Sequence, residues 1–219
     1  METALVIGAS GGIGKALASE LEDRAFKVSR LSRRGDGFDI TEPGGVERTL
    51  GALGTFNVVM VATGKLDGAG HPPEKSLKAL TAEAMADQFQ VNTIGPSLIL
   101  RHLPRLLPRH GPSFCGVLSA RVGSIGDNRL GGWYAYRAAK AALNQIVHGA
   151  AVELHRTHPE ARLIALHPGT VETAFTESYS GHDKIAPEAS ARHLIDVLTA
   201  REATESGSFW DWKGEPVPW

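Results

Sequence analysis

The run Leu5-Val6-Ile7-Gly8-Ala9-Ser10-Gly11-Gly12-Ile13-Gly14 constrains this chain more than any other stretch. Ala4 to Ile7 is an unbroken apolar segment, as a strand buried on both faces requires. Beyond it Ile13, Leu17 and Leu21 recur at helical spacing, so the strand turns sharply and opens a helix. Glycines stand where a side chain would obstruct. Gly8 permits the tight exit from the strand, Gly12 lets the backbone approach a bound phosphate, and Gly14 lets the helix lie close to the sheet. The helix start presents unpaired N–H groups and roughly half a positive charge, a seat for a pyrophosphate.

The same alternation continues downstream. Strands are expected at Phe26 to Leu31, Phe56 to Val61, Ser113 to Ser119, Arg162 to Leu166 and Ser208 to Trp212. Helices are expected around Gly45 to Leu53, from the N-cap Thr81 through Leu107 with a bend at Gly95-Pro96, over Tyr134 to Thr157, and from Pro187 onward. Lys65 to Lys75 and Asp127 to Gly132 read as loops. Strands alternating with helices predict an α/β fold, a Rossmann-type doubly wound parallel sheet in three layers, with residues 1–219 as one domain. Residues 174–187 are read as an insert over the substrate pocket and 207–219 as a C-terminal strand and tail. Ligands in such sheets bind beyond the carboxyl ends of the strands.

Composition narrows the partners. A net charge of −1 lacks the basic excess that nucleic acid or an anionic membrane would require. No apolar run reaches the length of a membrane span, and Met1 leads almost at once into the first strand, so no signal peptide is expected. The single Cys115 lies in an apolar run and has no partner for an internal disulfide, which suits a cytoplasmic protein. The nine histidines show no metal-ligand spacing, and no metal site is expected. The basic cluster from Arg101 to His110 reads as a solvated helix face. Trp210, Trp212 and Trp219 read as core and interface aromatics.

The spacing Gly8-xxx-Gly12-x-Gly14 resembles the short-chain dehydrogenase/reductase family, whose pattern is T-G-x-x-x-G-x-G; Ile7 stands in place of the threonine. The resemblance implies that Gly8, Ser10, Gly11, Gly12, Ile13 and Gly14 hold a dinucleotide. Asp39-Ile40 resembles the family's adenine contact. Ala62-Thr63-Gly64 occupies the N-N-A-G position, with both asparagines absent. Pro168, Gly169, Val171 and Thr173 match P-G-x-x-x-T, which would orient the nicotinamide amide, and His167 before them reads as structural. At the end of the second strand a carboxylate would bind ribose hydroxyls. Here Ser32, Arg33 and Arg34 stand instead, and guanidinium pairs with phosphate, so NADPH is expected over NADH.

Tyr136 and Lys140 are four residues apart on a helix and share one face. A free phenol titrates near pH ~10, and a neighbouring ammonium favours the phenolate. Tyr136 is thereby expected to exchange a proton with a carbonyl oxygen as hydride passes to or from nicotinamide. Lys140 would also hold the nicotinamide ribose. Asn92 in Asn92-Thr93-Ile94-Gly95 matches the family's N-x-x-G, which implies a water-positioning role; a buried asparagine at a helix kink is the structural alternative. The family's serine aligns with Ala120. Ser119 is the favoured replacement and Ser124 its rival, although neighbours on a strand face opposite ways unless the chain bulges. Tyr134, without a lysine four residues on, reads as a pocket wall.

The segments Ser124 to Arg137 and Phe209 to Trp219 resemble the branch holding the C-factor signalling protein and the sniffer carbonyl reductases. The resemblance implies an NADPH-dependent oxidoreductase acting on a small carbonyl or alcohol, assembled as a homodimer or homotetramer. The competing reading is a catalytically weak nucleotide-binding signalling protein.

Overall fold

The computed structural model describes residues 1–178 and 183–219. Its strands are β1 (Thr3–Ile7), β2 (Lys27–Leu31), β3 (Val58–Val61), β4 (Ser113–Leu118), β5 (Ala161–His167) and β6 (Phe209–Asp211). Its helices are α1 (Gly12–Asp23), α2 (Arg33–Asp36), α3 (Pro43–Gly51), α4 (Ala82–Phe89), α5 (Gly95–Leu100), α6 (Leu103–Leu106), α7 (Tyr134–Leu154) and α8 (Pro187–Thr199). The strands pair in parallel in the order β2-β1-β3-β4-β5-β6. Every strand expected from the sequence is present, with ends shifted by one or two residues.

Alternation along each strand builds two cores. In β1, Ala4 and Val6 face α1 and α8, where they meet Leu17, Leu21, Leu194 and Leu198. Leu5 and Ile7 face the other way, toward Val46, Leu50, Ile99, Leu143 and Val147 of α3, α5 and α7. Burying one such leucine stabilises the fold by about 1.5–3 kcal/mol, and both faces are lined with them. The result is a three-layer α/β sandwich whose sheet is hidden on both sides. An ion pair at 2.7 Å between Arg24 and Asp196 ties the end of α1 to α8.

The expected long helix from Thr81 to Leu107 is not continuous. Thr81 caps α4 as expected, accepting the Ala84 amide at 3.1 Å. A π-helical turn over Gln90–Ile94 follows, then α5 and the short α6. Pro96 has no N–H to give the carbonyl of Asn92, and Pro104 none for that of Leu100. The backbone widens into the π turn, with the Gly95 amide reaching back to Gln90. The bend read from the sequence is therefore a break.

β1 lies between β2 and β3, so successive crossovers leave it in opposite directions. A crevice opens there beyond the carboxyl ends of the strands. Gly8, at φ +91°, makes the exit from β1, and a Cβ on Gly14 would stand 2.1 Å from the Gly8 carbonyl oxygen. Helix and strand can meet this closely only without that side chain. Gly14→Ala is expected to cost at least about 2 kcal/mol of stability in urea unfolding, as forced overpacking against backbone does. It is expected to abolish nucleotide binding as well.

Candidate active site

A cleft of about 1340 Å³ runs along the carboxyl edge of the sheet. The glycine loop forms its floor: Gly8, Ser10, Gly11, Gly12, Ile13 and Gly14 all line it. No side chain caps α1 and its first turn holds no acidic residue, which leaves the amides at its start to an anion. A Cβ on Gly12 would lie 2.5 Å from Thr173 Cγ2, so the segment after β5 closes directly over this loop. Pro168, Gly169, Val171 and Thr173 line that side.

At one end stand Arg33 and Arg34, exposed on α2. The nearby carboxylates are engaged elsewhere. Asp36 Oδ2 accepts the Ser32 amide at 3.1 Å, and Asp39 Oδ1 accepts the amide and hydroxyl of Thr41 at 2.8 and 2.7 Å. Those bonds hold the Asp39 carboxyl below the usual carboxylate range. Asp39 and Ile40 line the cleft beside the arginines, and Ala62, Thr63 and Gly64 continue it past the end of β3. Thr63 Oγ1 is buried there with no hydrogen-bond partner among the described residues. An orphaned hydroxyl in such a wall fits the hydroxyl- and phosphate-rich body of a dinucleotide.

Tyr136 and Lys140 lie on the first turns of α7 and both line the cleft. The Lys140 ammonium is 5.9 Å from the Tyr136 ring centroid and donates to the Leu118 carbonyl at 3.0 Å. Burial pushes its pKa down from 10.5 to about 8. A Cβ on Gly64 would lie 3.6 Å from Lys140 Nζ and 3.0 Å from Asn92 Oδ1, so Gly64 is the thin wall between them.

Asn92 does not line the cleft. It sits behind it in the π turn, fully buried. Its Oδ1 accepts the Lys65 amide at 3.1 Å, while Nδ2 donates to the Lys65 carbonyl at 2.8 Å and to Gln88. The side chain thus clamps the Gly64-Lys65 backbone. Thr93 Oγ1 donates to the Ala139 carbonyl at 2.7 Å and docks the same turn onto α7.

The serines are both committed to the protein. Ser119 lines the cleft but is buried, and its hydroxyl donates to Asn144 Oδ1 on α7 at 2.6 Å. Its amide still donates to Leu166, so the chain stays extended and does not bulge. Ala120 therefore faces the other way, its methyl packed with Tyr136 and Leu66. Ser124 donates to the Pro218 carbonyl and accepts the Asp127 amide at 3.0 Å, away from the cleft lining. The side chain beside the phenol is an alanine.

Tyr134 does not line the cleft; Trp133 does. Trp133 takes a left-handed φ of +53° and turns its ring edge-on to Tyr136 at 6.2 Å, with Phe175 at 6.5 Å on another side. Glu74 fixes this corner by accepting the Trp133 amide on its carbonyl and the Ala135 amide on its carboxylate, at 2.5 and 3.3 Å. The sequence held no local signal for Glu74, which caps α7 from about 60 residues upstream. His167 stands on the cleft wall with Nδ1 enclosed and unpartnered among the described residues, and burial lowers its pKa to about 4, so it is neutral near pH 7. Trp210, Trp212 and Trp219 do not line the cleft; they lie against Arg201, His193 and Phe209, with Trp212 packed behind Gly169 of the cleft wall.

A phenol and a buried amine one helical turn apart, at the end of a crevice floored by a glycine loop, define the class: a dinucleotide-dependent oxidoreductase of the doubly wound kind. The chain belongs to the short chain dehydrogenase family, whose sequence profile matches residues 2–184, and it is an NAD(P)-dependent oxidoreductase. Over the full length of both proteins it is 30% identical to the 1-hydroxy-2-glutathionyl-2-methyl-3-butene dehydrogenase of Rhodococcus sp.. It is 36% identical to the C-signal protein of Myxococcus xanthus over 62% of this chain and 78% of that one. A Burkholderia multivorans protein described as a short-chain dehydrogenase/reductase, solved with bound NADP, superposes with a TM-score of 0.85. It shares 25% identity over 100% of this chain and 99% of its own. Among the described residues no helix is long and apolar enough to cross a membrane.

The buried amine has a measurable signature. Between about pH 8 and pH 10.5 the unfolded chain binds more protons at Lys140 than the native chain, so this residue's cost to stability is full below pH 8 and fades above it. Lys140→Met is expected to raise the urea midpoint at pH 7. That gain is expected to shrink as the pH rises from about 8 toward 10.5.

Proposed function

We propose that this protein is an NADPH-dependent carbonyl reductase or alcohol dehydrogenase for a small, largely apolar substrate. The observation that carries the reading is the meeting of Tyr136 and Lys140 with the glycine loop along one cleft. A bound nicotinamide would supply or take up the hydride. Tyr136 gives its hydroxyl proton to the carbonyl oxygen in reduction and takes it back in oxidation. Lys140, protonated through the neutral range, favours the phenolate that remains and donates to ribose hydroxyls. Asn92 acts at one remove: its grip on Lys65 holds Gly64 thin against the amine. Arg33 and Arg34 bind the 2′-phosphate through charge-assisted bonds, which favours NADPH.

Val171, Thr173 and the amides at the start of α1 hold the rest of the nucleotide. Residues 174–187 cover the substrate end, a reading supported by Ala174, Phe175 and Thr176 on the cleft wall; residues 179–182 lie outside the described part. Assembly as a homodimer or homotetramer is in keeping with Ile146 and Val152, apolar side chains exposed on α7. The lone buried Cys115 suits the cytoplasm.

One observation favours a second reading. Ala120 beside Tyr136 supplies no hydroxyl to the substrate oxygen, and a missing donor of that kind lowers rate by roughly 100-fold or more. A slow, nucleotide-binding signalling protein would tolerate that loss, and the likeness to C-signal points the same way.

A carbonyl panel followed by NADPH absorbance separates the two. Tyr136→Phe is expected to lower kcat at least about 100-fold while the NADPH Kd stays within about twofold. Equal inertness of both proteins, with NADPH still bound, would favour the signalling reading. Replacing Arg33 and Arg34 together by Ala is expected to weaken NADPH about 10-fold or more and leave NADH unchanged. Equal losses for the two nucleotides would refute the assignment of the arginines.

A further inference from the structure

Arg137 follows Tyr136 on α7 and lines the same cleft, half-buried. Its Nε donates to the Gly132 carbonyl at 3.0 Å and its Nη1 to the Val122 carbonyl at 3.1 Å. Both partners are neutral. Burial lowers its affinity for the proton, and among the described residues no carboxylate offsets that loss. The first turn of a helix is also the wrong end for a cation, because the helix dipole is positive there. A guanidinium so placed is costly unless an anion joins it.

Its geometry says where an anion would join. Of five N–H donors, two are used, which leaves both hydrogens of Nη2 and one of Nη1. Those adjacent donors match the two oxygens of a carboxylate. The two carbonyl bonds fix the plane of the fork before any ligand arrives. The other arginine on this wall is differently placed: Arg121 is paired with Asp127 at 2.6 Å and approached by Asp211 at 3.5 Å. Around Tyr136 the walls are Leu66, Ala120, Trp133 and Phe175. The walls nearest the phenol are thus apolar, and Arg137 is a half-buried guanidinium beside them with no carboxylate partner among the described residues.

We propose that Arg137 anchors a carboxylate on the substrate, so that the compounds this enzyme turns over join a carbonyl or alcohol to an acid group across an apolar body. The assignment rests on the proposed action on a carbonyl or alcohol for its chemistry, but not for its binding step. Tyr136 meets the reacting oxygen while Arg137 fixes the far end and thereby the register of the substrate in the cleft.

The test uses aryl keto acids with one to four carbons between ketone and carboxylate, each paired with its own methyl ester. At the best length the wild type is expected to favour the acid by about 10-fold or more in kcat/KM. Arg137→Gln is expected to lower kcat/KM for that acid by about 30-fold, with the ester and the NADPH Kd unchanged. Arg137→Lys, which keeps the charge without the fork, is expected to recover part of the preference. Equal use of acid and ester at every length overturns the proposal, as does an equal loss for both in Arg137→Gln, the mark of a residue that only staples the loop. Weaker NADPH binding in Arg137→Gln overturns it too, by assigning the guanidinium to the nucleotide. If the wild type reduces none of these ketones, the small-carbonyl reading of the proposed function fails alone. Calorimetry with 4-phenylbutanoate and its methyl ester on the NADP-bound protein then decides the anchor: selective acid binding lost in Arg137→Gln sustains it, and equal binding removes it.

Discussion

The burial of one ammonium group organises the functional half of this molecule. Lys140 is almost wholly removed from water, with its ammonium on the Leu118 carbonyl and near the Tyr136 ring and no carboxylate paired with it among the described residues. Such a charge is expensive, since desolvation is repaid only by partners of good geometry. The two apolar cores, packed on both faces of the sheet, tolerate the cost. Under the proposed function, the benefit appears where the Tyr136 phenol and a nucleotide ribose meet the amine. A site of this kind sacrifices stability for chemistry, and the sacrifice falls on a residue whose position the fold over-determines.

That position is held from several distant points. Glu74 ties the loop after β3 to the start of α7. Thr93 docks the π turn on the same helix at Ala139, and Asn92 fastens that turn to Lys65. Pro96 follows the π turn and has no N–H for the Asn92 carbonyl, and the turn sets Asn92 Oδ1 against Gly64. At the other end, the contact of Gly14 with Gly8 sets how closely α1 approaches the sheet. The cleft is therefore the outcome of backbone packing more than of any loop poised over it.

How much of this was legible in the chain depends on the range of the interaction. The strands announced themselves through apolar runs such as Val58 to Val61, because a strand buried on both faces has no alternative composition. Tyr136 and Lys140 were legible because helical spacing alone stacks them. The alternation of Ser119 and Ala120 was also local, and the extended backbone kept it: the serine turns to Asn144 and the alanine to Tyr136. What could not be read was set by residues far off in sequence. Trp133, not Tyr134, faces the cleft because the Glu74 carbonyl holds the Trp133 amide in a left-handed turn. The continuous helix expected through Leu107 failed because two prolines removed donors at the points where their neighbours needed them. The neutral surroundings of Arg137 were likewise invisible, since the Val122 carbonyl comes from a short 3-10 turn 15 residues upstream that no sequence pattern places against α7.

A crystal structure of the protein with oxidised NADP bears on all of this at once. The pyrophosphate is expected on the amides at the start of α1 and the nicotinamide ribose within hydrogen-bond reach of Lys140 Nζ. The ring is expected beside the Tyr136 hydroxyl, leaving an intervening substrate oxygen at about the 3 Å that proton transfer needs. A nucleotide bound elsewhere, or one whose nicotinamide lies on the far side of the cleft from Tyr136, would contradict the central claim.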